Sequence, residues 1–310
     1  MPSRAADAIR DRVAQTTSGL FKHASYPLAR TLDYPGDPGL CGPGSVSWRV
    51  IGDTSAFIGG IRALLVQAAH PEVAAGVADH SRYREDPLGR LSRTSAYVTA
   101  TTFGAMPEVE KAVSIVRRAH RPVHGQSHRD IRYSAGAPDL AAWVHNALTD
   151  SFLQAYDTFG EQPLTVSERD QFVREQAKIG LLLDAEPIPE TASDLRSWIA
   201  EHQALAPSPG MRQTVDFVRS PPLPRTVVPA YRLMVQAAAG TIPPAMRDLL
   251  GLRKTPGAIA AGRSVTKFLR WSLGSSPTWN LSLIRCDAPI PEGRFHQPLP
   301  VSVDAVPPAE

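Results

Sequence analysis

The side chains best equipped for chemistry gather in one block of the sequence, from Arg62 to Asp150. Four of the chain's nine histidines stand there in informative contexts: His70, His120, His124 and His145. Arg90, Arg93 and Thr94 lie among them. Imidazole binds metals and moves protons near neutral pH. Guanidinium pairs strongly and directionally with carboxylates.

The string RRAHRPVHG places His120 and His124 one helical turn apart, with His128 a similar step beyond. Such a pair can chelate a metal ion. The string lacks the Glu of an H-E-x-x-H motif, so no general base comes with it. Pro122 disturbs the turn and Gly125 ends it. A single imidazole aimed into an apolar pocket is enough for an axial haem ligand, and Pro122 would open the helix beside it. The ordinary reading is a pair of surface histidines at a helix end.

Each other candidate also has two readings. His70 ends an apolar helical run and precedes Pro71, so it either lines a cavity or serves the last carbonyls of that helix. Arg90 and Thr94 are four apart and share a helix face. An Arg there can pair with a carboxylate such as a haem propionate, or simply face solvent. His145, in WVHNALTDS, shares its face with Leu148 and Phe152 and looks buried. A buried imidazole needs a partner, which is Thr149 one turn on, a group on another helix, or a cofactor.

Composition narrows the class. At 310 residues, 43% hydrophobic and 20% charged, the chain can bury a sizeable core. A net charge of +3, with Arg interleaved with acids, argues against nucleic-acid binding. Cys41 and Cys286 form no CxxC, and no CxxCH attaches haem covalently. Two free thiols fit the cytoplasm. Met1–Gly19 lacks the apolar stretch of a secretory signal. No run of ~18 apolar residues predicts a membrane span, and Phe57–Ala69 is short and contains Arg62. Dinucleotide, P-loop and nucleophile-elbow motifs are missing.

The elements that must position these residues read as helices. Periodicity and capping signals predict helices over 53–70, 72–79, 88–103, 108–120, 140–159, 167–183, 191–204, 227–238 and 258–273. Tyr34–Gly44, rich in Pro and Gly, is a loop. Trp48–Ile51 is the one short strand candidate. The expected layout is an N-terminal arm and loop over 1–44, a helical catalytic domain over 45–285, and a Pro-rich, extended or disordered tail over 286–310.

Three strings together carry a family resemblance: GGIRALLVQAAHPEVAAGVADHSRYREDPLGRLSRTSAYVTATTFG, RRAHRPVHG and WVHNALTDSFLQAYDTFG. They resemble the catalytic domain shared by bacterial rubber oxygenase (latex-clearing protein) and the fungal mycophenolic-acid-pathway oxygenase. The resemblance runs from about Trp48 to Leu250. It implies an all-α single domain with a globin-like core and a b-type haem. Arg90 and Thr94 match the Arg-x-x-x-Thr beside the haem of the rubber oxygenase. His120 best matches the proximal ligand, with His124 as the rival. The lysine that covers the distal iron site in the rubber oxygenase is Arg93 here. A guanidinium is a poor metal ligand, so a water-ligated or open sixth site is expected.

The expectation is therefore a haem b oxygenase-like oxidoreductase. His120 holds the iron; Arg90, Arg93 and His124 lie by the cofactor; Thr94, His70 and His145 line the pocket with Arg90. Its partners are dioxygen and a small apolar substrate, and a homo-oligomer is allowed. The chain's length leaves no room for an anchor or added domains, so extracellular rubber is not the expected substrate. The competing readings are a non-haem metal enzyme using His120 and His124, and a non-catalytic helical ligand binder.

Overall fold

The computed structural model describes residues 4–21, 28–293 and 295–299. In chain order its helices begin with α1 (Arg4–Phe21), α2 (Val46–Ile51), α3 (Ala56–Ala68), α4 (Pro71–His80), α5 (Pro87–Phe103) and α6 (Met106–His120). A two-stranded antiparallel hairpin follows, β1 (His124–Gln126) and β2 (Arg132–Ser134), with Gly125 opposite Tyr133. Then come α7 (Pro138–Phe159), α8 (Val166–Leu181), α9 (Ala192–Ala200) and α10 (Pro209–Arg219). The set ends with α11 (Val228–Thr241), α12 (Pro244–Leu249), α13 (Ala258–Leu273) and α14 (Pro277–Arg285). The chain is an all-α single domain.

Local chemistry sets where these helices start. Ser45, Thr165, Ser208 and Ser276 each accept a hydrogen bond from a backbone N–H in the first turn of the helix they precede. The same capping explains one correction. Trp48–Ile51 is not a strand but most of α2, because the Ser45 side chain accepts from the Trp48 N–H at 3.2 Å. Its β-branched residues suggested a strand, and the cap together with burial against α8 overrides them.

The core is built around α3 and α7, the most extensively packed pair. Ile58, Ile61 and Leu65 of α3 meet the face of α7 that buries Trp143, Phe152 and Leu153. Gly59 lets the two backbones approach. A Cβ at that position would stand 2.7 Å from Phe152 Cδ1 and 3.2 Å from Phe152 Cα. The same seam holds a buried ion pair, Arg62 Nη1 to Asp150 Oδ2 at 2.7 Å. α10 and α11 flank α3, α8 and α9 flank α7, and α13 closes over α11.

α1 lies on α13 and α5, and its Arg10 guanidinium stands 4.9 Å from the centre of the Trp271 ring. The described part of the expected tail is extended and returns to the turn after α13. There Ser275 N–H donates to Phe295 O at 3.0 Å and Gln297 Nε2 donates to Leu273 O at 2.9 Å. Residues 1–3 and 22–27 of the expected arm, and 300–310 of the tail, lie outside the described residues. Among the described residues no helix is long and apolar enough to cross a membrane.

Candidate functional site

The phase of α5 is set by its first turn. Pro87 opens the helix and the Asp86 carboxylate accepts from Gly89 N–H at 3.0 Å. From that start Arg90, Thr94 and Tyr97 follow at i, i+4 and i+7 and share one face. Arg90 reaches a small pocket walled by Leu64 and Gln67 of α3, Val73 and Val77 of α4, and Thr214 of α10. Burial lowers its pKa, against the opposing pull of Tyr83, whose ring centre lies 5.7 Å from the guanidinium carbon. No carboxylate among the described residues pairs with it. Arg90 is half-buried, and an anionic group beside it would offset the solvation it has lost.

Two more polar groups, one beside Arg90 and one two turns along α5, are unsatisfied. The hydroxyls of Tyr83 and Tyr97 are buried without a hydrogen-bond partner among the described residues. Burial pushes the Tyr97 pKa up, so the phenol keeps its proton and remains a donor. Orphaned donors of this kind are uncommon in a folded core and mark a place where a further group belongs.

His120 is the last residue of α6. Only Gly104 and Ala105 separate α5 from α6, and the two helices pack on each other through the first half of α6, where Glu108, Val109 and Val113 are buried; His120 stands beyond that contact and is exposed. The chain just beyond His120 lies on α4. A Cβ on Gly76 would meet Val123 Cγ1 at 3.7 Å, and His80 Nε2 is 3.1 Å from His124 O. The His120 ring reaches solvent, yet the protein around it lowers its pKa by desolvation. His120 is not among the residues that line the Arg90 pocket. Its imidazole is neutral near pH 7, the form that binds a metal.

No cavity described here brings Arg90 and His120 together, and the other candidates are placed apart from both. α6 ends at His120, so His124 sits on β1 and is exposed. The pair is therefore not one turn apart on a helix, because Arg121 and Pro122 turn the chain into the hairpin. Thr94 is exposed on the Arg90 face. Arg93 is exposed and its Nη1 stands 3.0 Å from Asp86 Oδ2. His145 is buried between α7 and α8. Its Nε2 lies 3.4 Å from Thr149 Oγ1, and its ring packs so close to Gly180 that a Cβ there would stand 2.7 Å from its Cδ2. Among the described residues no three His, Cys, Asp or Glu side chains converge as a metal site.

His70 is not in the last turn of a helix. α3 ends at Ala68, and His70 directly precedes α4, only 5% exposed. It lines a second cavity, of about 290 Å³, together with Glu72, Arg129 and His202. Its ring centre is 5.7 Å from that of Trp143 and 5.4 Å from that of His202.

Tyr97, Glu72, Arg129 and His202 were not singled out by sequence reasoning. Tyr97 carried a usable signal, since it continues the Arg90–Thr94 face by one more turn. The other three did not. Glu72 and Arg129 are 57 residues apart and meet only through the tertiary packing of the hairpin on α4.

The family model described as "ER-bound oxygenase mpaB/B'/Rubber oxygenase, catalytic domain" matches residues 48–271. That span contains all the residues discussed above from α3 to α10. No curated protein and no solved structure matches the chain.

Proposed function

This chain belongs to the MpaB/rubber oxygenase catalytic-domain family, and from that footing we propose that it is a haem b-dependent oxygenase-like oxidoreductase acting with dioxygen on an apolar organic metabolite. The observation that carries the cofactor reading is Arg90, a half-buried guanidinium with no carboxylate partner among the described residues, beside Tyr83, whose hydroxyl has no partner among them either.

The donor chemistry of these residues suits a haem, and the pocket at Arg90, about 10 Å³ here, would have to widen to take one. Arg90 would pair a propionate, the anion its surroundings lack. His120, neutral and at an open helix end, would hold the haem iron. The Tyr97 hydroxyl would donate on the same face of α5 as Arg90. Leu64, Val73 and Val77 supply apolar walls that keep bulk water out. Bound haem supplies the oxidising chemistry, while the protein supplies placement and surroundings. Arg93, drawn to Asp86, takes no part as an iron ligand. The free thiols Cys41 and Cys286 support a reducing compartment, the cytoplasm.

The test is haem titration followed by absorption, comparing His120→Ala with His124→Ala. The proposal expects His120→Ala to loosen haem at least tenfold and to change its spectrum. His124→Ala keeps both. A His120→Ala protein with wild-type affinity and spectrum would overturn the ligand assignment. A colourless protein under ample haem supply would favour a ligand binder or a non-haem metal enzyme.

A further inference from the structure

The cavity of about 290 Å³ beside α4 contains a recognition device that the haem-holding residues do not use. His70 stands at its inner end, between α3 and α4, and is 5% exposed. Its Nδ1 is buried, 3.4 Å from Glu72 Oε2, without a formed hydrogen bond. Its Nε2 has no protein partner among the described residues and is the nitrogen left to the cavity.

The proton on this imidazole can be located. Glu72 is buried, and burial works to raise its pKa. Hydrogen bonds from Arg129 and Ser127, with the charge of Arg129, outweigh that and hold it below the ordinary carboxylate range. Glu72 is therefore an anion facing Nδ1. For His70, burial is the largest influence and lowers the pKa to about 4, against the weaker pull of Glu72. A neutral imidazole with a carboxylate at Nδ1 carries its one proton there. Nε2 is then a lone-pair acceptor directed at the cavity.

The walls describe the rest of the ligand. Ile131, Leu140 and Ala137 are apolar, and the rings of His202 and Tyr133 add flat surface. The one anion at the inner end, Glu72, is already paired with Arg129. Asp139 and Arg132, of opposite charge, also line the cavity and offset each other. The volume lies at the small end of ligand pockets and suits a compound of one or two rings.

We infer that this cavity binds a small, mostly apolar ring compound through a hydroxyl, phenolic or enolic, that donates a hydrogen bond to His70 Nε2. Naming that compound the substrate rests on the oxygenase reading, but the binding does not.

The probes are 2-naphthol and 2-methoxynaphthalene, which share a shape while only the first has an O–H to donate. Titration calorimetry on the full chain, with and without haem, gives the two affinities. The expected result is a preference of about tenfold for 2-naphthol, the scale of one buried hydrogen bond. His70→Phe keeps a ring against Trp143 and His202 but removes the acceptor, and it should bind both probes alike. His70→Gln, which keeps an acceptor, should retain part of the preference. Wild-type protein that binds neither probe, or both equally, overturns the inference, as does a His70→Phe protein that keeps the preference. The Soret band of the same samples separates the two readings. Preference without haem leaves this site and removes the oxygenase. Haem without preference does the reverse.

Discussion

Arg62 Nη1 and Asp150 Oδ2 stand 2.7 Å apart in the seam between α3 and α7, and both side chains are all but sealed from solvent. Arg62 also donates to Ser151 Oγ at 2.8 Å. These two residues bound the block in which the reactive side chains gather, and their role is to hold its two central helices in register. An ion pair so placed gives little net stability over an apolar pair of the same shape, but losing one partner strands a buried charge.

Asp150→Ala should therefore lower unfolding stability by about 3–5 kcal/mol. Urea unfolding followed by circular dichroism measures it. A loss below about 1 kcal/mol would show that Arg62 finds another partner or water. The double variant Arg62→Met/Asp150→Leu should recover much of the loss, since it removes both charges together.

The orphaned phenol makes a prediction with opposite signs in two states. Tyr97→Phe removes a buried hydroxyl that has no partner in the haem-free protein, so that protein should be unharmed or more stable by about 1 kcal/mol. Haem affinity should fall, because the donor is lost. Arg90→Leu should likewise spare the haem-free fold and weaken haem binding more, by at least tenfold. Thermal melts of both forms check this. A variant that destabilises both forms equally would mean a packing role only.

Stability should fall as pH drops from neutrality. Burial lowers the pKa of His145 from 6.5 to about 4, and His70 is lowered similarly. The unfolded chain then takes up protons that the native state refuses. The contribution is complete above the unfolded pKa near 6.5 and is lost on acidification toward 4, at up to about 1.4 kcal/mol per pH unit for each imidazole. His120 and His202 shift in the same direction. Above about pH 5.5 the carboxylates of the unfolded chain stay ionised; burial raises the native pKa of Glu108, which acts against the imidazoles, so the His145 share is read as the difference between wild type and variant. His145→Gln should make the slope shallower. An unchanged slope would contradict the buried, neutral assignment.

Close approach at Gly59 gives a fourth test. Gly59→Ala places a methyl against Phe152 backbone and ring, and should cost about 1–3 kcal/mol despite the better helix propensity of Ala. Gly60→Ala next to it meets nothing within 4 Å and should be neutral or stabilising. Equal effects at the two positions would argue against the helix seam described here.

Much of the fold was legible because it is written in local code. Asp86 and Pro87 announce α5, Gly104 and Pro107 bracket its turn into α6, and Pro138 opens α7. α10, α12 and α14 escaped because each follows a Pro-rich or Ser-rich stretch that reads as loop. The hairpin escaped because His124–Gln126 carries no alternating pattern, and its register depends on Tyr133 packing over Gly76 and Gly125. At the site, Arg90 and His120 were legible only through the family resemblance of their strings, since spacing alone left both with an ordinary surface reading. The place of His70 was not, since it depends on Glu72, Arg129 and His202 arriving from three separate elements.

The most direct test of the central claim is an absorption spectrum of the full chain, expressed with ample haem precursor, with a pyridine haemochrome assay on the same sample. The account predicts a strong Soret band and haem b approaching stoichiometry with the chain. A colourless protein that also takes up no haem on titration would contradict it.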